Sequence, residues 1–120
     1  MSDYSKAIIY FIRCNTTSKM YVGSTIQSLK VRISKHETDF KGYYGFNEKP
    51  RAYRSSFDCM ENDDYEMIKI EDYPCNNVKE LEERETLHIL KCRSLGYECT
   101  NKQIPRTIKN PDWSSLPDLS

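Results

Sequence analysis

The sequence contains no Cys-x-x-Cys pair. Its five cysteines, Cys14, Cys59, Cys75, Cys92 and Cys99, are odd in number and scattered, so neither a disulfide framework nor a zinc knuckle is supported. No apolar run approaches membrane-spanning length, and Met1-Ser2-Asp3-Tyr4 is not the basic-then-apolar start of a signal region. The expectation is a reduced, intracellular protein of the cytoplasm or nucleus, not secreted and with no membrane partner. Internal repeats and low-complexity tracts are also missing. At 120 residues and 38% hydrophobic content there is room for one modest core and no second module. Residues 1–107 read as one domain. Residues 108–120, with Pro111, Pro117 and no period, read as an irregular tail draped onto the body by Trp113.

Net charge is absent too, at a formal value of zero, but only as a sum. Residues 1–57 hold ten Lys/Arg against four Asp/Glu, residues 58–85 three against eleven, and residues 86–120 five against three. A basic half of this kind can contact phosphates, with Lys30, Lys35, Lys49, Arg51 and Arg54 as the candidate contact residues. The acidic block would face away from them or help hold a cation. A solvated surface of mixed charge is the plainer reading of any single one of these residues.

What is present begins with a hairpin. Ala7-Ile8-Ile9-Tyr10-Phe11-Ile12 has no helical period and is rich in β-branched and aromatic residues, which predicts a strand buried on both faces. Its partner is Met20-Tyr21-Val22-Gly23-Ser24-Thr25. The connector Cys14-Asn15-Thr16-Thr17-Ser18-Lys19 is turn-forming. Gly23 marks a place where the backbone can turn or be closely approached. Thr25 or Ser28 can cap the helix that follows, where Leu29, Ile33, His36 and Phe40 share a face with Arg32 on or beside it. Arg32 and His36 therefore aim toward the hairpin, either as working groups or as a snorkelling arginine and a satisfied core histidine.

Residues 41–50 read as a loop whose aromatics can stack on bases or cover the core. Residues 51–57 read as a short helix. Tyr65 to Tyr73 alternates in part like a third strand, ended by Pro74. The strongest helix starts at Asn77, an N-cap with Glu80 three positions on, and stops at Gly96. At about 100° per residue it places Glu85 in an apolar stripe with Val78, Leu81, His88, Ile89 and Cys92. A buried, unpaired carboxylate costs several kcal/mol, on the order expected for a desolvated ion, so Glu85 needs a cation, a metal or a proton.

Taken together, Ile9-Tyr10, Tyr21-Val22-Gly23, the Arg32/His36 helix, the Glu85 helix and Asn101 occur in an order and spacing that resembles the GIY-YIG nuclease domain, from about Lys6 to Asn101. Lys19 to Thr25 is similar to the family's second strand, and Leu81 to Ile89 to its glutamate helix. The run Asn101 to Thr107 looks like the ending of stand-alone members from large DNA viruses and phages. Ile8 departs from the pattern, standing where the family usually has glycine, while Tyr10 is retained.

The resemblance implies an α/β (α+β) fold, a small three-stranded antiparallel sheet flanked by helices, and a metal-dependent DNA endonuclease that cuts one strand per active site. Double-strand cleavage would then need a homodimer or a partner protein. The resemblance assigns one Mg²⁺ or Mn²⁺ to Glu85 and the scissile phosphate to Arg32. Tyr10 and Tyr21 would align or deprotonate the attacking water, His36 would move a proton or hold a phosphate, and Asn101 would orient the glutamate. The chemistry is consistent: a hard cation prefers carboxylate oxygen, and a guanidinium with a metal stabilises charge on a phosphodiester. A phenol with a reference pKa near 10 needs a nearby cation to act as base at neutral pH, and either tyrosine can fill that role. The alternatives are a non-catalytic nucleic-acid-binding or adaptor domain of the same fold, or a protein-interaction module using the acidic block.

Overall fold

The computed structural model describes residues 3–44, 57–60, 64–101, 104–109, 111, 112, 114, 116 and 117. After a 3₁₀ turn at Tyr4–Lys6, the elements are β1 (Ile8–Cys14), β2 (Lys19–Thr25), α1 (Leu29–Tyr44), α2 (Phe57–Met60), β3 (Tyr65–Asp72), α3 (Val78–Ser94) and β4 (Glu98–Cys99). They form one α+β unit around a four-stranded mixed sheet of order β3-β1-β2-β4. The expected count was three antiparallel strands. The fourth, parallel to β2, pairs only Lys19 with Glu98 and Met20 with Cys99, too short a run to leave a periodic mark in the sequence.

β1 is the centre of the sheet and is buried along nearly its whole length, because both faces are covered. On one face Ile9, Phe11, Met20 and Val22 pack under Leu81, Ile89 and Cys92 of α3. On the other, Tyr10, Ile12 and Cys14 meet Phe57, Cys59 and Met60 of α2, with Leu29 and Phe40 of α1 beside them. β3 pairs with β1, with a register shift between Ile9 and Tyr10, so that Ile9 faces Glu71 and Tyr10 faces Lys69. A bulge of this kind re-aims side chains and is common beside functional sites.

Ser28 is the residue that caps α1, its hydroxyl accepting from the Val31 N–H at 3.2 Å. The helix continues through residues 41–44, which the sequence had suggested as loop. The short helix expected at 51–57 falls on residues that, up to 56, lie outside the described ones; Phe57 instead opens α2. Asn77 caps α3 by accepting from the Glu80 N–H, and Glu80 in return accepts from the Asn76 N–H. At the other end Gly96 adopts φ of 84°, and the Tyr97 and Gly96 N–H groups reach back to Cys92 and Arg93 carbonyls. That backbone turn favours glycine. Val78, expected in the apolar stripe, is the first residue of α3 and is 46% exposed. In the tail, Trp113 lies outside the described residues. Leu116 is buried there, and buried Lys91 donates to the Leu116 and Pro117 carbonyls at 3.2 and 3.1 Å.

Candidate active site

Tyr10 and Gly23 are directly opposite each other on β1 and β2. The Tyr10 ring lies across Gly23 so closely that a Cβ at Gly23 would stand 2.5 Å from the phenol oxygen. From that position the phenol reaches α1. Arg32 Nε donates to it at 3.1 Å, and His36 Nε2 is 2.8 Å away. The His36 ring sits between Tyr10 and Tyr21, edge to face with both, at centroid distances of 5.9 and 5.8 Å. Tyr10 and His36 are buried, whereas Tyr21 and Arg32 are half-buried. Four of the six expected site residues thus form one cluster on the α1 face.

Burial alone would lower the Arg32 pKa. The Tyr10 oxygen, then Tyr21 and Asp39, outweigh it and raise the pKa, so this guanidinium stays cationic.

Glu85 reaches the same place from the α3 side of the sheet. Ser24 donates to its carboxylate through Oγ at 2.5 Å and through its main-chain N–H. Burial pushes the Glu85 carboxyl up to about 7; the Ser24 bonds oppose this, Glu82 adds to it and the Arg32 charge works against it. Among the described residues the β4 pairing stops at Met20, so no strand pairs with the outer edge of β2 from Val22 onward.

That edge is nevertheless occupied, one rung every second residue. The Thr100 N–H donates to the Met20 carbonyl at 2.7 Å. The Asn101 side-chain amide then pairs with both the N–H and C=O of Val22, each at 2.9 Å, imitating the next residue of a strand. Glu85 takes the rung at Ser24. Asn101, expected to orient the glutamate, therefore bonds to the Val22 main chain, one rung away from it.

Ser24 belongs to the second-strand stretch but is not among the expected site residues. The signal was available, since period-two alternation puts Ser24 on the Val22 face, toward the glutamate helix. A second charged group was also missed. Glu71 of β3 takes a bidentate ion pair from Arg84 and a hydrogen bond from buried His88, and Arg84 lies 4.8 Å over the Tyr73 ring. It sits under α3 and fastens that helix to the sheet.

A family model, the GIY-YIG catalytic domain, matches residues 6–98. The chain belongs to the GIY-YIG family. No curated protein and no solved structure matches the chain. The GIY-YIG family is made of endonucleases, which gives the chain a nuclease-type function at the level of the family and implies DNA as substrate. Of the candidate DNA-binding residues, Lys30 and Lys35 are exposed on α1, while Lys49, Arg51 and Arg54 lie outside the described residues. No described helix is long and apolar enough to cross a membrane.

Among the described residues no group of three or more His, Cys, Asp or Glu side chains is placed to hold a metal ion. A divalent ion here would have one protein carboxylate and keep several waters, a manner of binding natural to Mg²⁺. The donor chemistry fits: Glu85 is a half-buried carboxyl that retains its proton to about pH 7, and a cation can replace that proton.

Proposed function

We propose that this GIY-YIG domain is a divalent-metal-dependent DNA endonuclease that hydrolyses one strand per active site. The observation that carries the reading is Glu85, a half-buried carboxyl pushed up to about 7, held against Ser24 of β2 within the field of Arg32. Glu85 would hold one Mg²⁺ or Mn²⁺, which when bound supplies Lewis-acid stabilisation of charge on the phosphate. Arg32, fixed by Tyr10, would bind the scissile phosphate, its planar donors suited to phosphate oxygens. Tyr10 and Tyr21 would align or deprotonate the water, and the 2.8 Å contact from Tyr10 to His36 Nε2 offers the proton a path away. Asn101 would act at a distance, keeping β2 straight so that Gly23 and Ser24 hold their partners. Lys30 and Lys35, with Lys49, Arg51 and Arg54, would extend the phosphate contacts, and a homodimer or partner protein would serve double-strand cleavage.

The test is nicking of supercoiled plasmid at low salt with Mg²⁺ or Mn²⁺, comparing the natural sequence with Glu85→Ala and Arg32→Ala. Nicking that EDTA stops and that both folded variants lack is the expected result. Plasmid binding without nicking under either metal, on linear and branched DNA alike, would replace this reading with a non-catalytic DNA-binding domain.

A further inference from the structure

Beside the cluster, on the same face of the sheet, is a cavity of about 340 Å³. Its walls are aliphatic: Ile8 from β1, Ile26 from the β2–α1 connection and Leu29 from the first turn of α1. Ile8 is the residue that departs from the family's glycine, so this chain builds a wall from its own departure. The rim is polar, with Lys6, Lys69 and Gln27.

The cavity adjoins the catalytic cluster by construction. Lys69 is the direct cross-strand partner of Tyr10, and neighbouring strands are about 5 Å apart. Leu29 lies one helical turn before Arg32, or about 5 Å along α1. These separations are on the scale of a single nucleotide step. The volume falls within the range of about 300–1,000 Å³ usual for small-molecule sites.

Charge and shape select the occupant. Both lysines line the cavity and pair with exposed carboxylates, Lys6 with Asp3 at 4.0 Å and Lys69 with Asp72 at 3.2 Å. Exposed pairs of this kind are weak, so a phosphate can displace them. The first turn of α1 has no acidic residue, and its N-terminal end favours an anion in the same place. The aliphatic walls accept a flat apolar ring, and the Gln27 amide presents a donor and an acceptor at its edge.

We propose that this cavity receives an unpaired nucleobase from a nucleotide adjoining the scissile phosphate, with Lys6 and Lys69 on that nucleotide's phosphate. The inference rests on the endonuclease reading and deepens it, because a base still paired and stacked in a duplex cannot leave its neighbours to enter a pocket between β1 and the start of α1. The enzyme therefore favours DNA that carries an unpaired nucleotide, such as a bulge or flap, over continuous duplex.

The experiment uses the full chain as Glu85→Gln in EDTA, so that binding is read without cleavage. The probe is a duplex with one unpaired 2-aminopurine, beside a fully paired control. Expected are a several-fold rise in 2-aminopurine fluorescence on binding and affinity about tenfold above the control, the scale of one base contact. Adding Ile26→Trp, which fills the cavity, should remove the rise. Adding Lys6→Glu with Lys69→Glu, at exposed sites that do not threaten folding, should bring the two affinities together. Binding of both duplexes with equal affinity and no rise overturns the cavity assignment and leaves the endonuclease reading intact. Failure to bind either duplex, with no nicking of plasmid by the natural sequence, overturns both.

Discussion

The Tyr10 phenol ring occupies the space that a side chain on Gly23 would need, with the prospective Cβ 2.5 Å from both Cζ and the phenol oxygen. Gly23→Ala must therefore push the ring off its bonds to Arg32 and His36. The expected outcome is a loss of about 1–3 kcal/mol by chemical denaturation, the usual cost of overpacking, together with loss of nicking in the folded fraction. Full nicking by Gly23→Ala would mean that the Tyr10 position is not required.

Removing only the oxygen is the sharper test of the same cluster. Tyr10→Phe keeps the ring over Gly23 and deletes the atom on which Arg32 and His36 converge. Nicking should fall by about 10²–10⁴-fold, the range for loss of a positioned proton-transfer group. The thermal midpoint should move only a few degrees. Tyr21→Phe, assayed in parallel, reports the share of the half-buried tyrosine.

Glu85 sets an opposite sign for stability and function. Its folded pKa of about 7 lies above the ordinary 4.5, so the folded state holds the proton more tightly. This contribution is fully present below pH 4.5 and is lost as pH rises to about 7, a difference of about 3 kcal/mol at most. Without metal, Glu85→Gln should be the more stable protein at pH 8, with the gap closing by pH 5. Adding Mn²⁺ at pH 8 should raise the melting temperature of the natural sequence and leave that of Glu85→Gln unmoved. Equal responses of the two proteins to Mn²⁺ would remove Glu85 as the ligand.

The Glu71 cluster runs the other way. Burial raises the Glu71 carboxyl, but hydrogen bonds from Arg84 and His88 outweigh it and hold it below the usual range. Burial also lowers the His88 imidazole, against the pull of Glu71. Both depressed groups add stability that is present above the unfolded values of 6.5 and 4.5 and is lost as the medium becomes more acid. Glu71→Ala strands a buried histidine and most of an arginine, so it should cost about 3 kcal/mol at pH 7 and flatten the acid limb of the stability curve.

Asn101 can be separated from the chemistry. Asn101→Ala leaves the N–H and C=O of buried Val22 without the bonds they now have, at about 1–3 kcal/mol for each group. Denaturant titration should register that loss directly. Residual nicking at low temperature, where the domain is folded, should keep the pH profile of the natural sequence, because Asn101 does not bond to Glu85. A shifted profile would restore the glutamate-orienting role.

The parts of this architecture that were legible in the sequence are those written in local periodicity. β1 announced itself by an unbroken apolar run, and α3 by its Asn77 cap and Gly96 stop. Arg32 and His36 were aimed correctly because four residues make a helical turn. What escaped depends on partners far along the chain. Asn101 is 79 positions from Val22, and nothing near it in sequence says that its amide would stand in for a strand. β4 is two residues long and exists only because β2 is there to pair with. The Glu71, Arg84 and His88 contacts are charges on elements whose register is fixed by a bulge that no local pattern betrays.

The three rungs along β2 also bear on how this protein behaves in a crowded solution. A strand edge with free main-chain groups is a template on which another chain can add itself. Here Thr100 and Asn101 occupy successive rungs at Met20 and Val22, and the Glu85 carboxylate lies against Ser24 at the next, so most of the template is covered. The last cover is the side chain on which the chemistry is proposed to turn. A variant that discards it loses the proposed metal ligand and bares the Ser24 N–H in the same stroke, so solubility and activity are tied to one side chain.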